Sequence, residues 1–272
     1  MPALTVPAGD THLHVLDTPG GEPSLLLLNG AFGTLQNWTK VTARLDGSNR
    51  TVRFDARGRG KSGTSADYSL PAAVEDVGRV IDAAGLTRPI LVGWSHGATT
   101  AVRYAAQHPG QVAGLVLIDG GFPIAMFDEK AQQNARAQFR RLGFLMRIAA
   151  AAGRGARLSP DQAADLVIEM DAVNGELTAD FEVLDCPAAF ILGTGGHSGA
   201  PAEEMRTLRA SVAVAQAASQ RVFVFATAPC NHTAILRKCP DLVVAAINDV
   251  AGTVPGDGSA PAAQPGSPGL PR

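Results

Sequence analysis

The stretch Ile90-Leu91-Val92-Gly93-Trp94-Ser95-His96-Gly97-Ala98 constrains this chain more than any other, because a short apolar run ends in Gly-x-Ser-x-Gly and passes at once into small residues with helical spacing. Glycines on either side of a serine remove Cβ atoms that would collide in a tight strand-to-helix turn, so Ser95 is expected to stand exposed at the end of a strand. The following helix aims its first N–H groups at the same point. Negative charge developing on a bound carbonyl oxygen would be stabilised there.

The rest of the chain supplies the elements such a turn needs. Leu4 to Pro7 and Leu13 to Leu16, split by Gly9-Asp10, read as an edge hairpin. Leu25 to Leu28 does not alternate, as expected of a strand covered on both faces, and ends in Asn29-Gly30-Ala31-Phe32-Gly33. A helix over Thr34 to Leu45, a strand over Thr51 to Asp55 and a helix capped by Ser69 and stopped by Gly85 lead to the central run. After it come a helix from Ala98 to His108 and a strand over Gln111 to Ile118, ending in Asp119-Gly120-Gly121. Strands and helices in alternation predict an α/β fold with a mostly parallel sheet and helices on both faces.

From Phe122 the pattern turns helical, around Lys130 to Ala152 and Asp161 to Val173, before a strand resumes at Ala188 to Leu192. A helix over Ala202 to Ala218, a strand over Arg221 to Ala226, a loop holding His232 and a helix over Pro240 to Val250 complete the core. The expected division is a core of 1–121 and 186–252, a helical lid of 122–185, and a Pro/Gly/Ala-rich tail of 253–272 that lacks the apolar area to order itself.

With 46% hydrophobic residues in 272, a single large domain with an insertion can bury a substantial core. A net charge of -2 leaves no electrostatic footprint for nucleic acid or an anionic membrane, so the expected partner is a small-molecule substrate. Met1 to Asp17 alternates polar and apolar residues instead of forming a signal peptide, and a cytoplasmic location is expected. Oligomeric state has no signature in the sequence. Cys186, Cys230 and Cys239 are too scattered for a disulfide framework, and no metal-ligand spacing occurs.

Two near misses to nucleotide motifs read as structural turns. Gly60-Lys61-Ser62 has Asp55 where a phosphate loop needs glycine, and Gly193-Thr194-Gly195-Gly196-His197-Ser198 lacks the third glycine of a dinucleotide fingerprint. No cofactor is expected.

The ordered set of Asn29-Gly30-Ala31-Phe32 after a strand, Asp55-x-Arg57-Gly58-x-Gly60-x-Ser62, Gly93-Trp94-Ser95-His96-Gly97, and His232 before a final helix resembles the α/β-hydrolase superfamily. It covers nearly the whole chain except the lid and tail. The resemblance implies Ser95 as nucleophile and His232 as general base. Chemistry asks for the same pair, since a serine hydroxyl is a poor nucleophile until an imidazole takes its proton. In most relatives the acid follows the strand corresponding to Ala188–Leu192, but Gly193 to Gly199 holds no carboxylate. Asp119, ending the preceding strand, occupies the alternative position, with Glu203 or an absent acid as the other readings.

The implied oxyanion hole is the backbone N–H of His96 and of Ala31. Phe32, Trp94 and Phe122 are candidate pocket residues, with Trp94 either lining the pocket or packing beneath the turn. Phe127, Phe139, Phe144, Leu145 and Met146 are apolar lid residues available to face a pocket or the lid's own core. The expected activity is cofactor-free cleavage of a carboxylic ester, thioester or lactone through an acyl-enzyme. Acyl transfer, perhydrolysis and C–C cleavage are alternatives on the same fold, as is ligand binding without catalysis.

Overall fold

A computed structural model describes residues 3–151, 155–196 and 202–253. The expectations for His197, Ser198 and the tail from 254 onward lie outside them, while Thr253 closes the last helix. The edge hairpin is β1 (Ala3–Ala8) and β2 (Thr11–Thr18), paired antiparallel. The unalternating run Leu25–Leu28 is β3, buried along its whole length, and Thr51–Phe54 is β4. The central run is β5 (Ile90–Trp94), followed by β6 (Gly114–Ile118), β7 (Ala188–Gly193) and β8 (Val222–Ala228). One sheet holds all eight in the order β1-β2-β4-β3-β5-β6-β7-β8. Only the β1–β2 and β2–β4 pairs are antiparallel. β3 and β6 flank β5, so the loops after all three open at the same sheet end, where ligands of open α/β sheets bind.

Helices cover both faces. The stretch expected as one helix over 34–45 opens as a 3-10 turn, Leu35–Trp38, and continues as α1 (Thr39–Leu45), because Asp55 Oδ1 accepts from Leu35 N–H and draws the start toward β4. α2 (Leu70–Ala84) presents Val74, Val77, Val80 and Ile81 to the core and stops at Gly85 (φ 59°). Ser69 Oγ caps it by accepting from Ala72 N–H. Ser69→Ala is expected to cost about 1 kcal/mol and to lower the melting temperature by about 2–4 °C, readable by calorimetry. α3 (His96–Gln107) starts directly behind Ser95.

Between β6 and β7 lie α4 (Glu129–Ala151), α5 (Pro160–Asn174) and α6 (Leu177–Val183). The first two pack on each other through Phe139, Met146, Ala163 and Leu166, whereas α6 sends Leu177 and Phe181 into the main core against Phe190. The single helix expected over 202–218 is two, α7 (Ala202–Ala210) and α8 (Val212–Ala218). At the break Ser211 Oγ donates to Leu208 O, the carbonyl that a continuous helix would offer to Val212 N–H. α9 (Ile235–Lys238) and α10 (Pro240–Thr253) follow the His232 loop, and α10 lays Val243, Ile247 and Val250 on the opposite sheet face. No described helix is long and apolar enough to cross a membrane.

Candidate active site

Ser95 has φ 57° and ψ -121°, a conformation that L side chains rarely adopt, and its N–H donates to Ile118 O at 3.0 Å. Close packing makes the strained turn possible. A Cβ on Gly97 would stand 2.6 Å from the Leu28 carbonyl carbon, and one on Gly120 would stand 2.6 Å from Ser95 Cα. The two glycines therefore let β3 and the end of β6 approach the turn from either side.

Asp119 takes φ 44° directly after β6, which turns its side chain toward the loop after β8. There Asp119 Oδ2 lies 3.0 Å from His232 Nδ1, and both residues are deeply buried, at 1% and 7% exposure. A carboxylate against Nδ1 assigns the proton to that nitrogen and leaves Nε2 as the acceptor. Burial would push the Asp119 carboxyl up. Hydrogen bonds from His232, Arg209 and Gly193 N–H outweigh that penalty and hold it well below the usual carboxylate range. His232 sits at the start of a short 3-10 turn, and its carbonyl accepts from Trp94 Nε1 at 3.2 Å.

Ser95, Asp119 and His232 line one cavity of about 560 Å³. Its remaining wall is mainly apolar, with Phe32, Phe122, Phe127, Phe139, Leu142 and Met205 among its residues. Glu203, the rival acid, is exposed on α7 and pairs with Arg206 one turn on. It does not line the cavity. Trp94 does not line it either: its ring packs at the Gly30 and Gly33 backbone while its Nε1 donates to the His232 carbonyl.

Ala31 and His96 line a separate small cavity of about 30 Å³, with Arg57, Arg59 and Tyr68. The loop after β3 is tied at three points: Asn29 Nδ2 donates to Phe54 O at 2.9 Å, Gly33 N–H to Gly30 O at 2.9 Å, and Arg59 through Nε and Nη2 to Ala31 O. Buried His96 is depressed to about 3 by desolvation and by the Arg59 charge, so it stays neutral at ordinary pH. The Gly60-Lys61-Ser62 turn is structural, since Asp55 accepts from Lys61 N–H and Ser62 Oγ donates to the Asp55 carbonyl.

Residues 23–199 match the family described as the alpha/beta hydrolase fold. The chain belongs to that family. It is 33% identical over 138 residues to a fluoroacetate dehalogenase from Burkholderia sp, covering 48% of this chain and 45% of that one. To Lipase 1 from Psychrobacter immobilis it is 35% identical over 121 residues, 43% of this chain and 38% of the lipase. The chain thus spans less than half the length of these curated relatives. The crystal structure of bromoperoxidase from Bacillus anthracis superposes with a TM-score of 0.73 over 91% of this chain and 99% of that one, at 16% identity, a likeness of fold alone.

In this α/β hydrolase, sequence reasoning missed Arg209, which donates from Nε and Nη2 to both oxygens of Asp119 at 3.0 Å each. An arginine in an ordinary helical stretch carries no signal of such a contact. Of the five apolar residues singled out between β6 and β7, Phe127 and Phe139 line the cavity. Phe144 and Leu145 point to solvent, at 72% and 62% exposure, and Met146 packs between α4 and α5.

Proposed function

We propose that this α/β hydrolase cleaves a carboxylic ester, thioester or lactone through an acyl-enzyme on Ser95. The observation that carries the reading is the Asp119–His232 hydrogen bond opening onto the cavity that also holds Ser95. Nε2 of His232 takes the Ser95 proton as Oγ attacks the carbonyl carbon. The imidazolium, stabilised by Asp119, then gives that proton to the leaving oxygen or sulfur. Water, deprotonated by the same imidazole, attacks the acyl-enzyme and releases the acid and free Ser95. Backbone N–H groups of Ala31 and His96 are assigned to the oxyanion, His96 at the first turn of α3 where the helix dipole adds to the field. The apolar wall from Phe32, Phe122, Phe127 and Phe139 suits an apolar acyl or alcohol portion, with α4 and α5 as the lid over it.

Serine at the turn sets this reading apart from dehalogenation. Its attack on an alkyl halide would leave an ether, which has no carbonyl for water to attack. Lipase 1, by its name a lipase, is a relative whose chemistry agrees.

A fluorophosphonate probe is expected to label the wild-type protein on Ser95 and to leave Ser95→Ala unlabelled, read by intact mass and peptide mapping. A folded wild-type protein that stays unlabelled would overturn the proposal.

A further inference from the structure

We propose that Arg209 is a positioning residue for this reaction, holding the Asp119 carboxylate in one plane and taking up part of the negative charge that His232 would otherwise face. The inference rests on reading Ser95 and His232 as nucleophile and base. Its geometry is a two-pronged grip. Nε donates to Oδ1 and Nη2 to Oδ2, both at 3.0 Å, while Gly193 N–H donates to Oδ1 at 2.9 Å and His232 Nδ1 meets Oδ2 at 3.0 Å. Each carboxylate oxygen then has two partners, which fills its lone-pair directions and stops the group from turning away from the imidazole. Arg209 is itself largely buried, its side chain 12% exposed, so solvent screens the pair little.

A carboxylate shared with a guanidinium stabilises an imidazolium less than a free one does. The guanidinium therefore offsets part of the charge that Asp119 presents to the imidazole while it holds the carboxylate in place. The same short helix builds the cavity wall. Glu204, Met205 and Leu208 of α7 line the cavity and Arg209 is the next residue, so what occupies the cavity bears on the helix that grips the acid.

The charged and titratable groups near the pair come from several elements. Arg209 and Glu204 come from α7, and Cys230, whose thiol burial pushes up to about 12, precedes His232, with Lys238 of α9 beside that thiol. Asp171 of α5 faces the same cavity, and His96 of α3 stays neutral. Arg209 is the cation hydrogen-bonded to Asp119 among these.

The test compares R209K, which keeps the charge, with R209Q, which removes it, using kcat/KM for a p-nitrophenyl ester across pH at constant ionic strength. R209Q is expected to move the acid limb up by on the order of one pH unit, an acid-side loss of about tenfold. R209K is expected to keep the limb in place while the plateau falls about threefold, since an ammonium cannot grip both oxygens. A limb that stays put in R209Q, or that moves equally in both variants, overturns the proposal. Should R209Q not fold, R209K decides, and an unchanged plateau overturns the positioning role. A second readout separates this from the hydrolase reading: the ring-proton NMR titration of His232, assigned by its loss in His232→Gln, shifts upward in R209Q even if no ester is turned over. No shift there counts against Arg209 alone, whereas an unlabelled Ser95 counts against the reaction.

Discussion

Asp119→Asn is expected to lower p-nitrophenyl ester turnover by about 10⁴-fold, while Glu203→Gln leaves it within about twofold. The Asp119 carboxylate only accepts, and its place against His232 Nδ1 fixes the tautomer in which Nε2 is the unprotonated nitrogen. An asparagine amide at that position can present N–H donors, which selects the opposite tautomer and points the imidazole proton at Ser95. It also removes the charge that balances the imidazolium and the buried Arg209 guanidinium. Glu203 is exposed and paired within α7, so its loss reaches neither Ser95 nor His232. Steady-state kinetics on the two variants, with melting curves to confirm that both fold, decides the matter. The reverse order of losses would show that the acid is misplaced.

The largest expected stability loss lies away from the cavity, at Asp76. Both of its oxygens accept from Arg57, at 2.7 and 2.9 Å, and Arg79 Nη1 adds a third bond at 3.0 Å. The Arg57 and Asp76 side chains are 8% and 2% exposed. Asp76→Ala leaves the Arg57 charge buried with only long contacts to Ser65 Oγ and Asp67 O, both at 3.4 Å. The expected cost is about 3–5 kcal/mol, measured by urea unfolding. Replacing both partners with apolar residues, Arg57→Met with Asp76→Leu, is expected to recover most of that loss, because the penalty is for an unpaired buried charge and not for the missing bond. A single-variant loss under about 1 kcal/mol would contradict the account.

The Arg57 pair also bears on the site. Arg59 Nη1 donates to Arg57 O, and the same guanidinium holds the Ala31 carbonyl. The turn after β4 thereby fixes the loop proposed to supply one oxyanion donor. Asn29 ties that loop to Phe54 O.

Residues whose role depends on short-range constraints were legible before the fold. Gly93 and Gly97 around Ser95 announced the turn, because only steric relief within a few residues is needed to predict it. The four leucines of β3 announced a strand buried on both faces, and it lies at the centre of the sheet. Side chains whose role depends on what packs against them were not. Phe139 and Phe144 sit five residues apart on one helix, yet only Phe139 lines the cavity, because Phe144 falls on the face that α5 does not cover. Ser211 broke a helix that periodicity alone would have continued, since its hydroxyl competes for the Leu208 carbonyl.

By itself the sequence determined the α/β order, the strained turn that carries Ser95 and the loop that carries His232. Each follows from backbone sterics and apolar periodicity acting over a few residues. Only the tertiary structure placed Asp119 against His232 and Glu203 against Arg206, kept Trp94 out of the cavity wall and brought Arg209 to Asp119. His232 lies 113 residues from Asp119 in the chain. Their meeting depends on β6 pairing beside β7 with Ile118 opposite Ile191, and on the positive φ at Asp119 that turns the carboxylate toward the loop after β8. Strand register and packing across a sheet are set by the whole core at once, so no window of sequence contains them.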